Sequence, residues 1–148
     1  MKFTSLCVIL QAINVCLGGL QLQQSARLCL EGNNGESIYS KRCPFGEDFV
    51  VNGNWQRVYG NDPTYFSLKT NWPLNCMDIS GGVASPNNNV ILYECHGRDN
   101  QLWSQDDKGM IRSKLDNSYC LDTSKHGTYQ LVVNKCDEKD MYQQFHFI

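Results

Sequence analysis

Cys76 to Trp103, CMDISGGVASPNNNVILYECHGRDNQLW, is the stretch whose reading decides the rest of the chain. It places an acid, Asp78, two residues after one cysteine, and a tyrosine, Tyr93, two residues before the next. An amide pair, Asn100 and Gln101, stands just ahead of Trp103. A carboxylate, an aromatic face and an amide are the groups that a neutral sugar ring needs.

The pattern recurs on both sides. Cys29-Leu30-Glu31 begins 47 residues before Cys76-Met77-Asp78, and Cys120-Leu121-Asp122 follows 44 residues after it. A β-rich run precedes each second cysteine: Ile38 to Arg42 before Cys43, Val90 to Glu94 before Cys95, and Leu131 to Lys135 before Cys136. Extended segments precede each first cysteine, at Leu20 to Leu28, Tyr65 to Pro73 and Met110 to Tyr119. After the second cysteine comes a polar loop and then an aromatic, as Gln101-Leu102-Trp103 and Gln143-Gln144-Phe145. Asn33-Asn34-Gly35, Gly81-Gly82 and Lys108-Gly109 punctuate these runs, and no helical period of any length occurs.

The class is therefore all-β. Three repeats, about residues 20-64, 65-109 and 110-148, each offer roughly four short strands. No repeat buries its apolar face alone, which suits a closed threefold barrel, the β-trefoil. Repeat one is the poorest copy. Its counterpart of Gln-x-Trp is either Glu47-Asp48-Phe49 or the residues around Asn54-Trp55, and Val51 to Thr64 reads as an inserted, solvent-facing loop exposing Trp55 and Tyr59, with Tyr65 beside them.

The first 18 residues, Lys2 followed by an apolar run from Phe3 to Leu17, read as a signal peptide cleaved after Gly18 or Gly19, with Ser25-Ala26 as a second option. The domain then occupies 19-148. Removing Cys7 and Cys16 leaves six of the eight cysteines, an even set that in a secreted chain implies closed disulfides. Six allow 15 connectivities, and the order in sequence favours local pairs: Cys29–Cys43, Cys76–Cys95 and Cys120–Cys136. Each closes a loop of about 15 residues, contributing roughly 3 kcal/mol in the chain-entropy model. No C-x-x-C pair occurs and His96, His126 and His146 do not cluster, so neither a metal nor a cofactor is expected.

The formal net charge is −2, and about −3 once Lys2 is lost, which disfavours nucleic acid and anionic membrane as partners. No further long apolar run follows the signal, so the mature protein is expected to be secreted and extracellular, without direct membrane insertion. No Asn-x-Ser/Thr acceptor is present in that region.

The cysteine-apolar-acid starts, Tyr93-Glu94-Cys95-His96-Gly97 and Asn100-Gln101-Leu102-Trp103, in this order and repeated, resemble the ricin-type lectin family. They are also similar to the lectin domain of polypeptide N-acetylgalactosaminyltransferases. The resemblance covers the mature chain and implies a shallow site for galactose or N-acetylgalactosamine in each intact repeat, with terminal galactosides on glycoproteins or glycolipids as partners. In repeat two it assigns Asp78 to vicinal sugar hydroxyls, Tyr93 to the apolar ring face and Asn100 to the same hydroxyls. Gln101 supports the site, Trp103 fills the core and His96 is a rim contact.

Repeat three keeps Asp122 and Gln143, but Asn134 replaces the platform and Tyr142 the amide, so its site is expected to be lost. Repeat one has Glu31 for the acid and Lys41 for the platform. The alternative is a trefoil with no sugar affinity, in which the acids cap turns and Gln-x-Trp only packs the barrel, acting through a protein partner. An enzyme is not expected: the chain has no room for a transferase domain, and Asp78 and Asp122 lie in different repeats, too far apart for a glycosidase pair.

Overall fold

The structure, a computed structural model, describes residues 8–10, 13–15, 20–22, 28–31, 37–42, 55–70, 74–123 and 130–147. Strands β1 (Val8–Leu10) and β2 (Ile13–Val15) pair with each other in a sheet of their own. Repeat one then contributes β3 (Leu20–Leu22), β4 (Leu28–Glu31), β5 (Tyr39–Arg42) and β6 (Trp55–Tyr59). Repeat two supplies β7 (Phe66–Thr70), β8 (Asn75–Ile79), β9 (Asn88–Glu94) and β10 (Trp103–Gln105). Repeat three supplies β11 (Ile111–Ser113), β12 (Tyr119–Asp122), β13 (Val132–Lys135) and β14 (Phe145–Phe147).

Outer strands of each repeat form the barrel, through the pairs β6–β7, β7–β10, β10–β11 and β14–β3, with a bridge from Met110 to Gln144. Inner strands form the hairpins β4–β5, β8–β9 and β12–β13. These hairpins meet in a ring of backbone hydrogen bonds. Ile38 N–H donates to Val90 O at 3.1 Å, Val90 N–H to Leu131 O at 3.0 Å, and Leu131 N–H to Ile38 O at 2.6 Å. One residue from each repeat thus does the same job, and all three side chains are fully buried. This is a β-trefoil: a barrel capped by three hairpins about a threefold axis.

The alternation of side chains along a strand explains how a polar site sits on this core. In β8, Met77 and Ile79 join the apolar cluster. Cys76 and Asp78 therefore occupy the opposite face. There Cys76 is joined to Cys95, just past the end of β9, with Cα atoms 5.0 Å apart. Cys120 and Cys136 close the equivalent hairpin with a Cα separation of 5.1 Å. The first predicted pair involves Cys43, which lies outside the described residues.

Two tryptophans occupy matching places. The indole N–H of Trp103 donates to Met77 O at 3.2 Å, and that of Trp55 to Leu30 O at 3.1 Å. Met77 and Leu30 each follow the first cysteine of their repeat, so Trp55 is the repeat-one counterpart of Trp103. It is only 2% exposed. This corrects the expectation of an inserted loop presenting Trp55. Residues 55–59 are a barrel strand, paired with β7 along five residues. Tyr59 is exposed and Tyr65 half-buried. The extra length lies in the β6–β7 hairpin, which runs from Trp55 to its partner Thr70 where the β10–β11 hairpin runs from Trp103 to Ser113. Burying an indole with its N–H satisfied outweighs the loop-like Asn and Gly around it. Glu47-Asp48-Phe49, the other candidate, lies outside the described residues. Among the described residues no helix is long and apolar enough to cross a membrane.

Candidate functional site

Beside the β8–β9 hairpin lies an open cleft of about 780 Å³, lined by Asp78, Gly81, Gly82, Ile91, Tyr93, His96, Arg98, Asp99, Asn100 and Leu115. Three segments supply it. β8 and β9 bring Asp78 and Tyr93; a 3-10 turn, Ser80–Gly82, forms one wall; a second, Asp99–Gln101, forms the other.

Asp78 is 4% exposed at the floor. Its Oδ2 accepts from Gln101 Nε2 at 2.8 Å, and His96 Nε2 lies 3.3 Å from the same oxygen. The Arg98 backbone N–H donates to His96 Nδ1 at 3.1 Å. With Nδ1 accepting, the ring proton belongs on Nε2, facing the carboxylate. Among the described residues no group donates to Asp78 Oδ1.

Gln101 is fully buried and spends its amide on architecture. Its Oε1 accepts from the backbone N–H groups of His96 (2.8 Å) and Gly97 (3.2 Å), while Nε2 also donates to Glu94 O at 2.9 Å. One side chain thus ties the end of β9 to the floor acid. Tyr93 stands above, 51% exposed, tilted toward the His96 ring with centroids 6.2 Å apart. Asn100 is half-buried in the cleft wall, and among the described residues its amide has no partner.

Sequence reasoning missed Gly81, Gly82, Ile91, Arg98, Asp99 and Leu115 as lining. The glycine pair carried a signal. Both have left-handed backbone, φ 69° and 66°, and a Cβ at either would meet no atom within 4 Å. The requirement is conformational, since side-chain-bearing residues pay for positive φ. Asn88 Nδ2 closes this turn by donating to Ser80 O and Val83 O at 2.8 and 2.7 Å.

Repeat three reproduces the framework. Gln143 is buried, its Oε1 accepts from Asp137 N–H at 2.9 Å, and its Nε2 donates to Lys135 O and to Asp122 Oδ2, both at 3.1 Å. Its occupancy differs. Asn134 stands opposite Cys120 in the register that puts Tyr93 opposite Cys76, and its Nδ2 donates to Asp122 Oδ2 at 3.1 Å. Asn134 Oδ1 accepts from the backbone N–H of Asn87 at 2.8 Å, latching the tip of the β8–β9 hairpin. In repeat one, β4–β5 register sets Lys41 opposite Cys29 and Tyr39 opposite Glu31.

A trefoil bearing a shallow cleft floored by a carboxylate and edged by an exposed tyrosine and an amide defines a carbohydrate-binding class of protein. The particular family follows from comparison: residues 64–148 match the ricin-type β-trefoil lectin domain, and the chain belongs to that family. Such a domain binds carbohydrate and is non-catalytic. No curated protein sequence matches the chain.

Solved structures share its fold. The designed threefold-symmetric protein ThreeFoil aligns with a TM-score of 0.75 at 19% identity, over 88% of this chain and 96% of its own. A Polyporus squamosus lectin bound to the epitope Neu5Aca2-6Galb1-4GlcNAc gives 0.71 at 17% identity, over 88% of this chain. The agglutinin from Abrus precatorius gives 0.67 at 22% identity, also over 88% of this chain. This chain spans 47% of the length of each of those two lectins.

Proposed function

We propose that the protein is a secreted lectin that binds galactose or N-acetylgalactosamine noncovalently through the cleft of repeat two and has no catalytic activity of its own. One observation carries this reading. Asp78 Oδ2 is already held by Gln101 and His96, and Oδ1, Asn100 and the exposed face of Tyr93 are left together in one cleft. Vicinal hydroxyls of the sugar donate to Oδ1 and share the Asn100 amide, while its apolar C–H face covers Tyr93. A single shallow site binds near the millimolar range, about −4 kcal/mol, so avidity needs clustered glycans or oligomers.

Secretion is supported by the apolar leader with its small residues at the expected cleavage point and, among the described residues, by two closed disulfides and the pairing of β1 and β2 with each other alone. The test is retention on immobilised galactose. Wild-type protein is retained and eluted by free galactose, and Asp78→Ala flows through. Retention of a folded Asp78→Ala protein rules out the assigned site.

A second reading, recognition of a protein partner, is favoured by the outward face of the long β6–β7 hairpin, where Val58 and Tyr59 are exposed. Absence of any glycan signal, with a partner lost on mutating Tyr59, would select it.

A further inference from the structure

Within the cleft the charges are unequally committed. Asp99 pairs with Lys114 at 3.3 Å, and Asp78 is bonded through Oδ2. Among the described residues no carboxylate pairs with Arg98, which is exposed in the cleft wall.

Repeat three shows what its position ordinarily does. Asp140 precedes the 3-10 turn Met141–Gln143 and accepts from the Tyr142 backbone N–H at 2.9 Å. Arg98 precedes the equivalent turn Asp99–Gln101 and makes no side-chain cap. The backbones match: Gln101 N–H donates to Arg98 O at 2.9 Å, and Gln143 N–H to Asp140 O at 3.1 Å. Short acceptors are favoured at such a position because they satisfy the turn's free N–H groups. Repeat two therefore forgoes a local cap and gains a guanidinium that no carboxylate among the described residues pairs with, in the cleft that holds the sugar-binding groups.

Resting on the reading of this cleft as a sugar site, the geometry points to Arg98 as a specificity residue that selects galactosides carrying an acidic substituent, either a sulfate ester or a carboxylate. The planar guanidinium offers paired N–H donors matched to the oxygens of both groups. Asp78 repels an anion at the floor, so recognition is two-ended: neutral hydroxyls meet Asp78 and the acid meets Arg98. In water-like surroundings a unit pair about 4 Å apart changes affinity roughly fivefold, and salt screens it.

Calorimetric titration of the full chain with a neutral galactoside, a sulfated galactoside and a galactoside bearing a carboxylated sugar tests this. Wild-type protein prefers one or both acidic ligands by roughly fivefold, a preference that shrinks from about 0.1 M to about 1 M salt. The ligand that shows it identifies the source of the acid. Arg98→Gln loses the preference, its ratio of acidic to neutral galactoside affinity falling to about one; Arg98→Glu reverses it. Equal binding of all three ligands by wild type, or a preference surviving in Arg98→Gln, overturns the assignment of Arg98 and leaves the sugar site standing. No binding of any galactoside overturns both.

Discussion

Repeats two and three build the same frame and put different things in it. Asp78 and Asp122 are both buried, and each receives a bond from a buried glutamine that also braces the strand before it. What differs is the residue facing the first cysteine. Tyr93 leaves the acid of repeat two at the floor of a cleft; Asn134 donates to the acid of repeat three and grips Asn87 of the neighbouring repeat. A trefoil site can thus be lost while its carboxylate and its Gln-x-aromatic remain intact, because an amide that holds the acid stands where the aromatic face would be.

Paired truncation of the two acids separates the roles most sharply. Asp78→Ala abolishes retention on galactose, while Asp122→Ala leaves it unchanged and shows its effect in denaturant unfolding. Asn134 and Gln143 each lose a buried acceptor in Asp122→Ala, and a stranded polar group costs about 1–3 kcal/mol. Equal loss of retention in both variants would break the comparison.

Rebuilding the missing groups is the converse experiment. Asn134→Tyr alone gives up the contact with Asn87 and lowers stability by about 1 kcal/mol without adding a site, since Tyr142 still stands where Asn100 does in repeat two. Asn134→Tyr combined with Tyr142→Asn raises the calorimetric stoichiometry from one galactoside per chain to two. Stoichiometry unchanged in the double variant means that more than these two positions closes repeat three.

A smaller and cleaner effect is expected from Tyr93→Ala. The ring is half exposed, so unfolding free energy shifts by no more than about 0.5 kcal/mol. Affinity falls about tenfold, an aromatic face being worth roughly 1 kcal/mol or more against a ring.

The smallest effect lies away from the cleft, in repeat three. Ser118 donates to Asp116 from both its side chain and its backbone, holding that carboxyl below the ordinary aspartate range. A carboxyl depressed in the folded state stabilises above its unfolded pKa and loses that contribution as pH falls through the folded value. Asp116→Asn therefore melts slightly below wild type at neutral pH, and the gap closes in acid.

The frame was largely legible in the sequence, because it repeats. The cysteine spacing announced three hairpins, and Asp78 and Asp122, two residues after their cysteines, had to face away from the core by strand alternation. Trp55 was not legible as a barrel residue, since Asn and Gly surround it and its partner Leu30 lies 25 residues earlier. The closure of repeat three was half legible: the missing tyrosine was visible at Asn134, whereas its hold on Asn87 depends on two hairpins meeting across a repeat boundary. The turn glycines were visible as turn residues only, because a positive φ at Gly81 and Gly82 acquires its meaning from the cleft beside them.

Titrating galactose into isotopically labelled protein and following backbone amide shifts tests the central claim most directly. The account predicts saturable shifts at His96, Gly97 and Asn100, with Thr123, Asn134 and Tyr142 unmoved. Shifts centred on Thr123 and Tyr142, with His96 and Asn100 silent, would contradict it.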